Sequence, residues 1–329
     1  MNVRPARRPR RLIPTVAVTA ATALGLVGLS ACSSSDAADG KNGGKLDVVA
    51  SFYPMQYLAE QIGGAHVQVR NLTEPGQEPH DLEVSAQQRG QIEESDVALY
   101  LKGLQPAVDE AIDQSGTRTK IDAASLTSLE KHGDEVGGHG DDHEHGDEHG
   151  HDHDSEGADP HIWLDPVKYA EVARGVGKAL EKADPDHAAD YKKNTAALVK
   201  KLDGLDAEFR DGLKNTGSKV FITTHAAFGY LAERYGLTEE AISGLDPESE
   251  PSAARVKDLQ TMAKADGVTT VFYETLVSDK TARTLANDTK LRTDVLDPIE
   301  GITDKSRGTD YLQVMKSNLA ALKKALDAK

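Results

Sequence analysis

Three histidines lie far apart in the chain, each inside a short and distinctive motif. His80 ends Gly-Gln-Glu-Pro-His, His161 lies within Asp-Pro-His-Ile-Trp-Leu-Asp-Pro, and His225 follows Phe-Ile-Thr-Thr. Imidazole nitrogens are ligands for zinc and other transition metals. If folding brings these three residues together, they can bind one transition-metal ion.

A histidine-rich segment at about residues 131–156 separates the first two motifs from each other. Histidines alternate there with Gly, Asp and Glu, a composition typical of metal-binding tracts. The residues that we assign to an auxiliary, weak metal-binding loop are His139, His143, His145, His149, His151 and His153. Two interpretations stay open: the segment gathers metal for a tighter site, or it is a solvated insertion whose metal affinity is incidental.

The N-terminus predicts export. Five arginines precede an apolar stretch, 12–29, which ends in Leu-Ser-Ala-Cys with Cys32, the single cysteine of the chain. This pattern resembles a bacterial lipoprotein signal, so we expect residues 1–31 to be a signal peptide and Cys32 to carry lipid. A signal peptide with an incidental thiol is the alternative. Residues 32–45 are rich in Ser, Asp, Gly and Asn and predict a flexible tether to the membrane. The folded part is therefore expected outside the cytoplasm, lipid-anchored to the cell membrane.

The charge of the chain excludes one class of partner. Its formal net charge is −16, and removal of residues 1–31 takes away five arginines and no acidic residue, which leaves −21. Such a surface argues against nucleic-acid binding and favours the attraction of cations. With one cysteine, the chain forms no internal disulfide, so its stability must come from an ordinary core.

Short apolar runs rich in β-branched residues alternate with longer amphipathic runs along the chain, which predicts an α/β fold with parallel sheets. The predicted strands are Leu46–Phe52, His66–Leu72, Asp96–Leu101, Lys219–Thr224, Val268–Glu274 and Thr293–Leu296. The predicted helices are Met55–Ile62, Ala86–Glu94, Ala107–Gln114, Ala227–Tyr235, Ala253–Ala265, Lys280–Asp288 and Asp310–Ala328.

Between the two groups of strands, residues 167–214 carry almost no strand pattern. From residue 186 onward the apolar positions fall largely on one helical face, and about 29 residues would span about 43 Å. We predict an N-terminal α/β lobe over 46–185, a long rigid linker helix over 186–214 and a C-terminal α/β lobe over 215–329. Two ordinary helices packed in one domain are the alternative.

The topology predicts where the three histidines meet. In parallel α/β sheets, ligands bind outside the carboxyl ends of the strands. His225 directly follows a predicted strand, His80 lies in the loop after another, and Asp297 follows the last. A cleft between the lobes could collect these positions. Zinc prefers about four tetrahedral ligands, so a carboxylate would complete a set of three imidazoles.

Four segments together resemble the zinc- and manganese-type solute-binding lipoproteins of bacterial ABC importers (cluster A-I). They are Pro75–Asp81, Asp159–Pro166, Thr224–Ala232 and Phe272–Glu274. The resemblance implies two α/β lobes joined by a rigid helix, with one metal ion between them. It implies His80, His161 and His225 as ligands and Asp297 as the fourth, with Glu274 or water as alternatives.

The resemblance also implies the function. The family's manganese-binding members typically carry a glutamate where this chain has His225, and three imidazoles favour zinc over manganese. We therefore expect a monomeric zinc receptor of the zinc-uptake branch that delivers Zn²⁺ to an ABC permease and its ATPase, with affinity that falls below about pH 6.5 because the ligands must be neutral.

Three other functions stay open: a receptor for manganese or another divalent metal, a surface metallo-adhesin, and a zinc hydrolase. The hydrolase is disfavoured because the sequence carries no His-Glu-x-x-His motif and no Gly-x-Ser-x-Gly elbow. We therefore expect no enzymatic activity.

Overall fold

A computed structural model describes residues 43–133 and 157–329. The predicted signal peptide, Cys32, almost all of the tether and the six auxiliary histidines lie outside the described residues. Within the described residues, no helix combines the length and apolar character needed to cross a bilayer.

Two four-stranded parallel sheets form the framework. The first has the strand order β2-β1-β3-β4 and the second has the equivalent order β6-β5-β7-β8. The first sheet consists of β1 (Leu46–Ala50), β2 (Val67–Asn71), β3 (Val97–Tyr100) and β4 (Thr119–Asp122). The second consists of β5 (Val220–Thr223), β6 (Thr238–Ala241), β7 (Thr270–Tyr273) and β8 (Arg292–Val295). The prediction of two parallel-sheet α/β lobes is confirmed.

Helices connect and cover the strands. They are α1 (Tyr53–Gly63), α2 (Ala86–Glu94), α3 (Pro106–Gln114), α4 (Pro166–Ala183), α5 (Ala188–Gly212), α6 (Gly229–Tyr235), α7 (Ala253–Ala265), α8 (Lys280–Thr289) and α9 (Tyr311–Ala325). Local sequence explains several starts. Ser85 and Gln88 form a capping box at α2, and the carboxylates of Asp165 and Asp310 accept hydrogen bonds from the first turns of α4 and α9.

The long helix α5 packs against elements of both lobes. Its 25 residues span about 37 Å. It contacts α1 and α4 on the N-terminal side and α9 on the C-terminal side. One continuous apolar core contains Val48 of β1, Leu198 of α5 and Phe272 of β7. Because the two lobes share this core with α5, they are packed together across the helix.

Two strands are absent from the sequence-based prediction. β4 has the sequence Thr-Lys-Ile-Asp and β6 has the sequence Thr-Glu-Glu-Ala, and each lies at one edge of its sheet. Edge strands are often short and charged, because such residues discourage pairing with other chains. Their polar sequences therefore lack the apolar run by which the inner strands are recognised.

Candidate metal centre

Four side chains from distant parts of the chain converge on one point. The inner cluster consists of His80, His161, His225 and Glu300, whose ligand atoms all lie within 4.8 Å of one another. The side chains of His161 and Glu300 are 0% exposed and that of His225 is 1% exposed, whereas His80 retains 11%. The cluster is therefore buried and opens to solvent on the His80 side.

Each histidine is delivered by a loop at the carboxyl end of the sheets. His80 lies in the loop between β2 and α2, where the Glu78 carboxylate accepts hydrogen bonds from the backbone N–H groups of His80 and Asp81. His161 immediately precedes a short 3₁₀ helix, Ile162–Leu164. His225 follows β5, beside the point where the order of the second sheet reverses, a common position for ligands in such sheets.

Glu300 reaches the cluster through a tightly held turn after β8. Ile299 has a φ of 61°, an unusual conformation for a β-branched residue, and its N–H donates to Asp297 Oδ1 at 2.8 Å. Trp163 Nε1 donates to the carbonyl of Pro298 at 2.7 Å. These bonds connect the turn to the segment that carries His161, so the two sides of the cluster are positioned together.

The distances from Glu300 to the three histidines match those of a tetrahedral zinc site. Glu300 Oε1 lies 3.4 Å from His80 Nε2 and 3.5 Å from the Nε2 atoms of His161 and His225. These separations are longer than ordinary N–H···O hydrogen bonds. Zinc bound to N and O ligands at about 2.05 Å would place neighbouring ligand atoms about 3.3 Å apart. The four atoms therefore surround a space that one such ion would fill.

Buried carboxylates orient two of the three imidazole rings. Asp159 Oδ1 lies 2.7 Å from His161 Nδ1, and Glu274 Oε1 lies 2.9 Å from His225 Nδ1. The Nε2 atoms of both histidines are buried and have no hydrogen-bond partner. A carboxylate on one ring nitrogen leaves the other free to bind metal, an arrangement that recurs at metal sites.

The titration behaviour reflects the close approach of these groups. Burial opposes charge on all of them, but the neighbouring carboxylates Asp159 and Glu300 raise the pKa of His161, and Glu274 with Glu300 raises that of His225 well above its ordinary value. Against the same burial, the three imidazoles lower the pKa of Glu300 well below its usual range. Protons on the rings therefore compete with a metal ion for the cluster.

The structure does not place Asp297 where the sequence analysis expected it. Asp297 is buried outside the group of converging ligand atoms, and its carboxylate accepts hydrogen bonds from Ile299 N–H and from the Thr275 hydroxyl. Burial raises the pKa of Asp297 to about 6. The position beside the three histidines is instead occupied by Glu300, three residues later, because the turn after β8 carries the chain back to the cluster.

Glu300 was missed because Asp297 directly follows a strand and appeared better placed. The available signal was a single acidic residue within the otherwise uncharged run 298–302, Pro-Ile-Glu-Gly-Ile. Glu274, the alternative fourth ligand, contacts the Nδ1 side of His225 and the Thr224 hydroxyl. It therefore orients the His225 ring through the nitrogen that faces away from the inner cluster.

A cavity of about 510 Å³ adjoins the exposed side of the cluster. His80 lines it together with Asp81, Asp109 and Asp246, while Lys102 is the basic side chain of its lining. The excess of carboxylates favours cations in this cavity. An ion that approaches the inner cluster from the solvent would reach His80 first.

Comparison with known proteins identifies similar sequences and folds. The model of the family "Zinc-uptake complex component A periplasmic" matches residues 48–325. The zinc-binding lipoprotein AdcA of Streptococcus pneumoniae is 37% identical over 290 residues, 86% of this chain and 56% of AdcA. The high-affinity zinc uptake system protein ZnuA of Bacillus subtilis is 36% identical over 290 residues, 86% of this chain and 88% of ZnuA.

The chain thus spans about half the length of the AdcA proteins that it matches, and most of the length of ZnuA. Among solved structures, the Zn(II)-bound ZnuA-like domain of S. pneumoniae AdcA is 33% identical, with a TM-score of 0.70 over 86% of this chain and 100% of that domain. The laminin-binding protein Lmb of Streptococcus agalactiae, described as a bifunctional protein with adhesin and metal-transporting activity, is 29% identical with a TM-score of 0.74 over 86% of this chain and 99% of Lmb.

Proposed function

We propose, since the chain belongs to the family of periplasmic A components of zinc-uptake complexes, that it captures Zn²⁺ outside the cytoplasm and delivers the ion to a membrane permease. The observation that carries this proposal is the convergence of three imidazoles and one carboxylate around a space of the size of a tetrahedral zinc ion. In this proposal His80, His161, His225 and Glu300 are the ligands, and Zn²⁺ is the cargo.

The donor set supports zinc as the cargo. Three neutral imidazoles and one carboxylate suit zinc, whereas manganese prefers a site richer in oxygen. Copper and nickel would bind the same nitrogens at least as well in isolation, so metal availability must contribute to selection. The tetrahedral spacing adds a further preference, because zinc accepts four-coordinate geometry readily.

The site is suited to binding and release of an ion. Catalytic zinc sites keep one coordination position open for water or substrate, whereas four protein donors close the shell. Glu300 and two of the histidines are buried, so the ion would be reached only from the His80 side. We therefore propose a receptor without enzymatic activity.

The remaining features extend the same proposal. Removal of residues 1–31 and lipidation of Cys32 would hold a monomer at the outer face of the membrane through the tether 32–45. The lobes 46–185 and 215–329, joined by the helix 186–214, would present the loaded site to an ABC permease that is driven by its ATPase. The histidine-rich residues, including His143 and His149, would gather zinc when it is scarce.

A competitive zinc titration tests the assignment. The mature chain is compared with a His80→Ala, His161→Ala, His225→Ala variant that keeps the histidine-rich segment, and with a His187→Asn variant as a matched control outside the cluster. We expect one tight equivalent in the parent and control chains, and its loss in the triple variant. Survival of tight binding in the triple variant would assign the main site elsewhere and refute the proposal.

A further inference from the structure

A second set of potential metal ligands lies beside the inner cluster. The outer cluster consists of Glu130, His132 and Glu233, whose ligand atoms lie within 4.8 Å of one another. Glu233 belongs to α6, Glu130 directly precedes the histidine-rich segment, and His132 lies at the start of that segment. The side chains of Glu130 and Glu233 are 38% and 62% exposed, so the outer cluster is accessible to solvent.

His132 is held in one orientation by its surroundings. Its Nδ1 lies 2.8 Å from Asp159 Oδ2, and its ring packs edge-on against Tyr230. A Cβ at Gly229 would lie 2.5 Å from His132 Cβ and Cγ, so the absence of a side chain there makes room for the histidine. The ring is therefore seated in a place that fits it, with Nε2 directed towards Glu233 at 3.2 Å.

The carboxylate of Asp159 serves both clusters. Its Oδ1 contacts His161 Nδ1 and its Oδ2 contacts His132 Nδ1, and the residue is fully buried. A carboxylate behind a histidine, with the opposite nitrogen directed at other donors, is the arrangement that orients metal-binding imidazoles. His132 thus has the same support as His161 and His225.

The two glutamates of the outer cluster need a positive charge between them. Their ligand oxygens lie within 4.8 Å of each other. Two carboxylates repel unless a proton or a cation lies between them. Lys168 Nζ contacts Glu130 Oε1 at 2.6 Å, so its charge would weaken cation binding without occupying the second oxygen.

We propose that Glu130, His132 and Glu233 form a second, solvent-accessible site for a divalent transition-metal ion such as Zn²⁺, weaker than the inner cluster. One imidazole and two carboxylates are suitable zinc ligands, and further coordination positions remain for water. The outer cluster faces a cavity of about 570 Å³, which gives an ion room to enter and leave. This site is distinct from the inner cluster and does not depend on the function proposed above.

Nitrogen NMR of the histidine side chains during zinc addition tests the second site on the full mature chain. A His132→Asn variant identifies the signal of His132. We expect the His161 and His225 signals to move with the first equivalent of zinc, and the His132 signal to move only with later equivalents. The first observation concerns the inner cluster and the second concerns the outer one, so either proposal can fail separately.

Two variants separate the outer cluster from the histidine-rich segment. Glu233→Gln alters an exposed donor, and Glu181→Gln on α4 is the matched control. We expect the zinc concentration needed to move the His132 signal to rise at least about tenfold in Glu233→Gln and to stay unchanged in the control. Gly229→Ala keeps all three donors but displaces His132, and should weaken the same response.

Two outcomes would overturn the proposal. The first is a His132 signal that does not move under excess zinc in the parent chain. The second is a His132 response that is the same in the parent chain, in Glu233→Gln and in Gly229→Ala, because zinc would then reach His132 without the other members of the outer cluster.

Discussion

Replacement of Glu300 by glutamine should reduce zinc affinity far more than replacement of Asp297 by asparagine. Glu300 is the one carboxylate within the inner cluster, and its side chain is 0% exposed. Loss of one partner of a buried charge pair costs about 3–5 kcal/mol, because the remaining charge has neither partner nor water. At about 1.4 kcal/mol per factor of ten, this corresponds to zinc binding that is weaker by about 100-fold to a few thousand-fold.

The lower end of that range is the more realistic expectation for Glu300→Gln. Before zinc binds, the same carboxylate already favours the charged forms of His161 and His225, whose pKa values it raises. Part of its favourable interaction is therefore present before zinc binds. The variant loses only the difference between the two states.

Asp297→Asn provides the matched control because it changes a nearby buried carboxylate by the same chemistry. The asparagine oxygen can still accept the hydrogen bond from Ile299 N–H, and its amide can donate to the Thr275 hydroxyl. We expect a change in zinc affinity of less than about tenfold, since the residue would continue to support the turn.

Competition with a chromophoric chelator measures both variants at one pH, and thermal unfolding of the metal-free proteins checks that each one folds. A greater loss in Asp297→Asn than in Glu300→Gln would restore the sequence-based assignment and refute the reasoning from the turn. Equal, small losses would mean that the three histidines bind zinc without a carboxylate.

Three further predictions follow from the same contacts. The neighbouring carboxylates raise the pKa values of His161 and His225, so zinc binding should release protons at pH 7 and zinc affinity should continue to rise above about pH 6.5. Calorimetry in buffers of different ionisation enthalpy measures the number of protons released. Zinc binding without proton release would contradict this prediction. Glu274→Gln should weaken zinc binding by about 10- to 100-fold, because His225 loses the carboxylate that orients its ring. An unchanged zinc affinity in a competitive titration would show that Glu274 has no such role. Trp163→Phe removes the hydrogen-bond donor to the Pro298 carbonyl and should lower the free energy of unfolding by about 1–3 kcal/mol. Denaturant titration measures this change, and an unchanged free energy of unfolding would show that the hydrogen bond does not stabilise the fold.

Sequence patterns predicted the inner strands and the long helix well. β5 was expected over Lys219–Thr224 and occupies Val220–Thr223, and the linker helix expected over 186–214 appears as Ala188–Gly212. β5 is a continuous apolar run that is buried on both faces, and the buried apolar residues of α5 fall on one helical face. The polar edge strands β4 and β6 gave no such signal, since their position depends on pairing with a neighbour already in the sheet.

The candidate site was predictable where chemistry was visible in local motifs. His80, His161 and His225 converge as expected, because each motif places its histidine in a loop at the carboxyl end of a sheet or beside it. The choice between Asp297 and Glu300 could not be made from spacing. It depends on a turn with a positive φ at Ile299, which the packing around the site imposes.

The most direct test of the account is a crystal structure of the zinc-loaded chain with anomalous data collected at the zinc edge. We predict one strong anomalous peak about 2.0–2.1 Å from the Nε2 atoms of His80, His161 and His225, and at a similar distance from a carboxylate oxygen of Glu300. A main peak that is bonded elsewhere, or one that lacks any of the three imidazoles, would contradict the central claim.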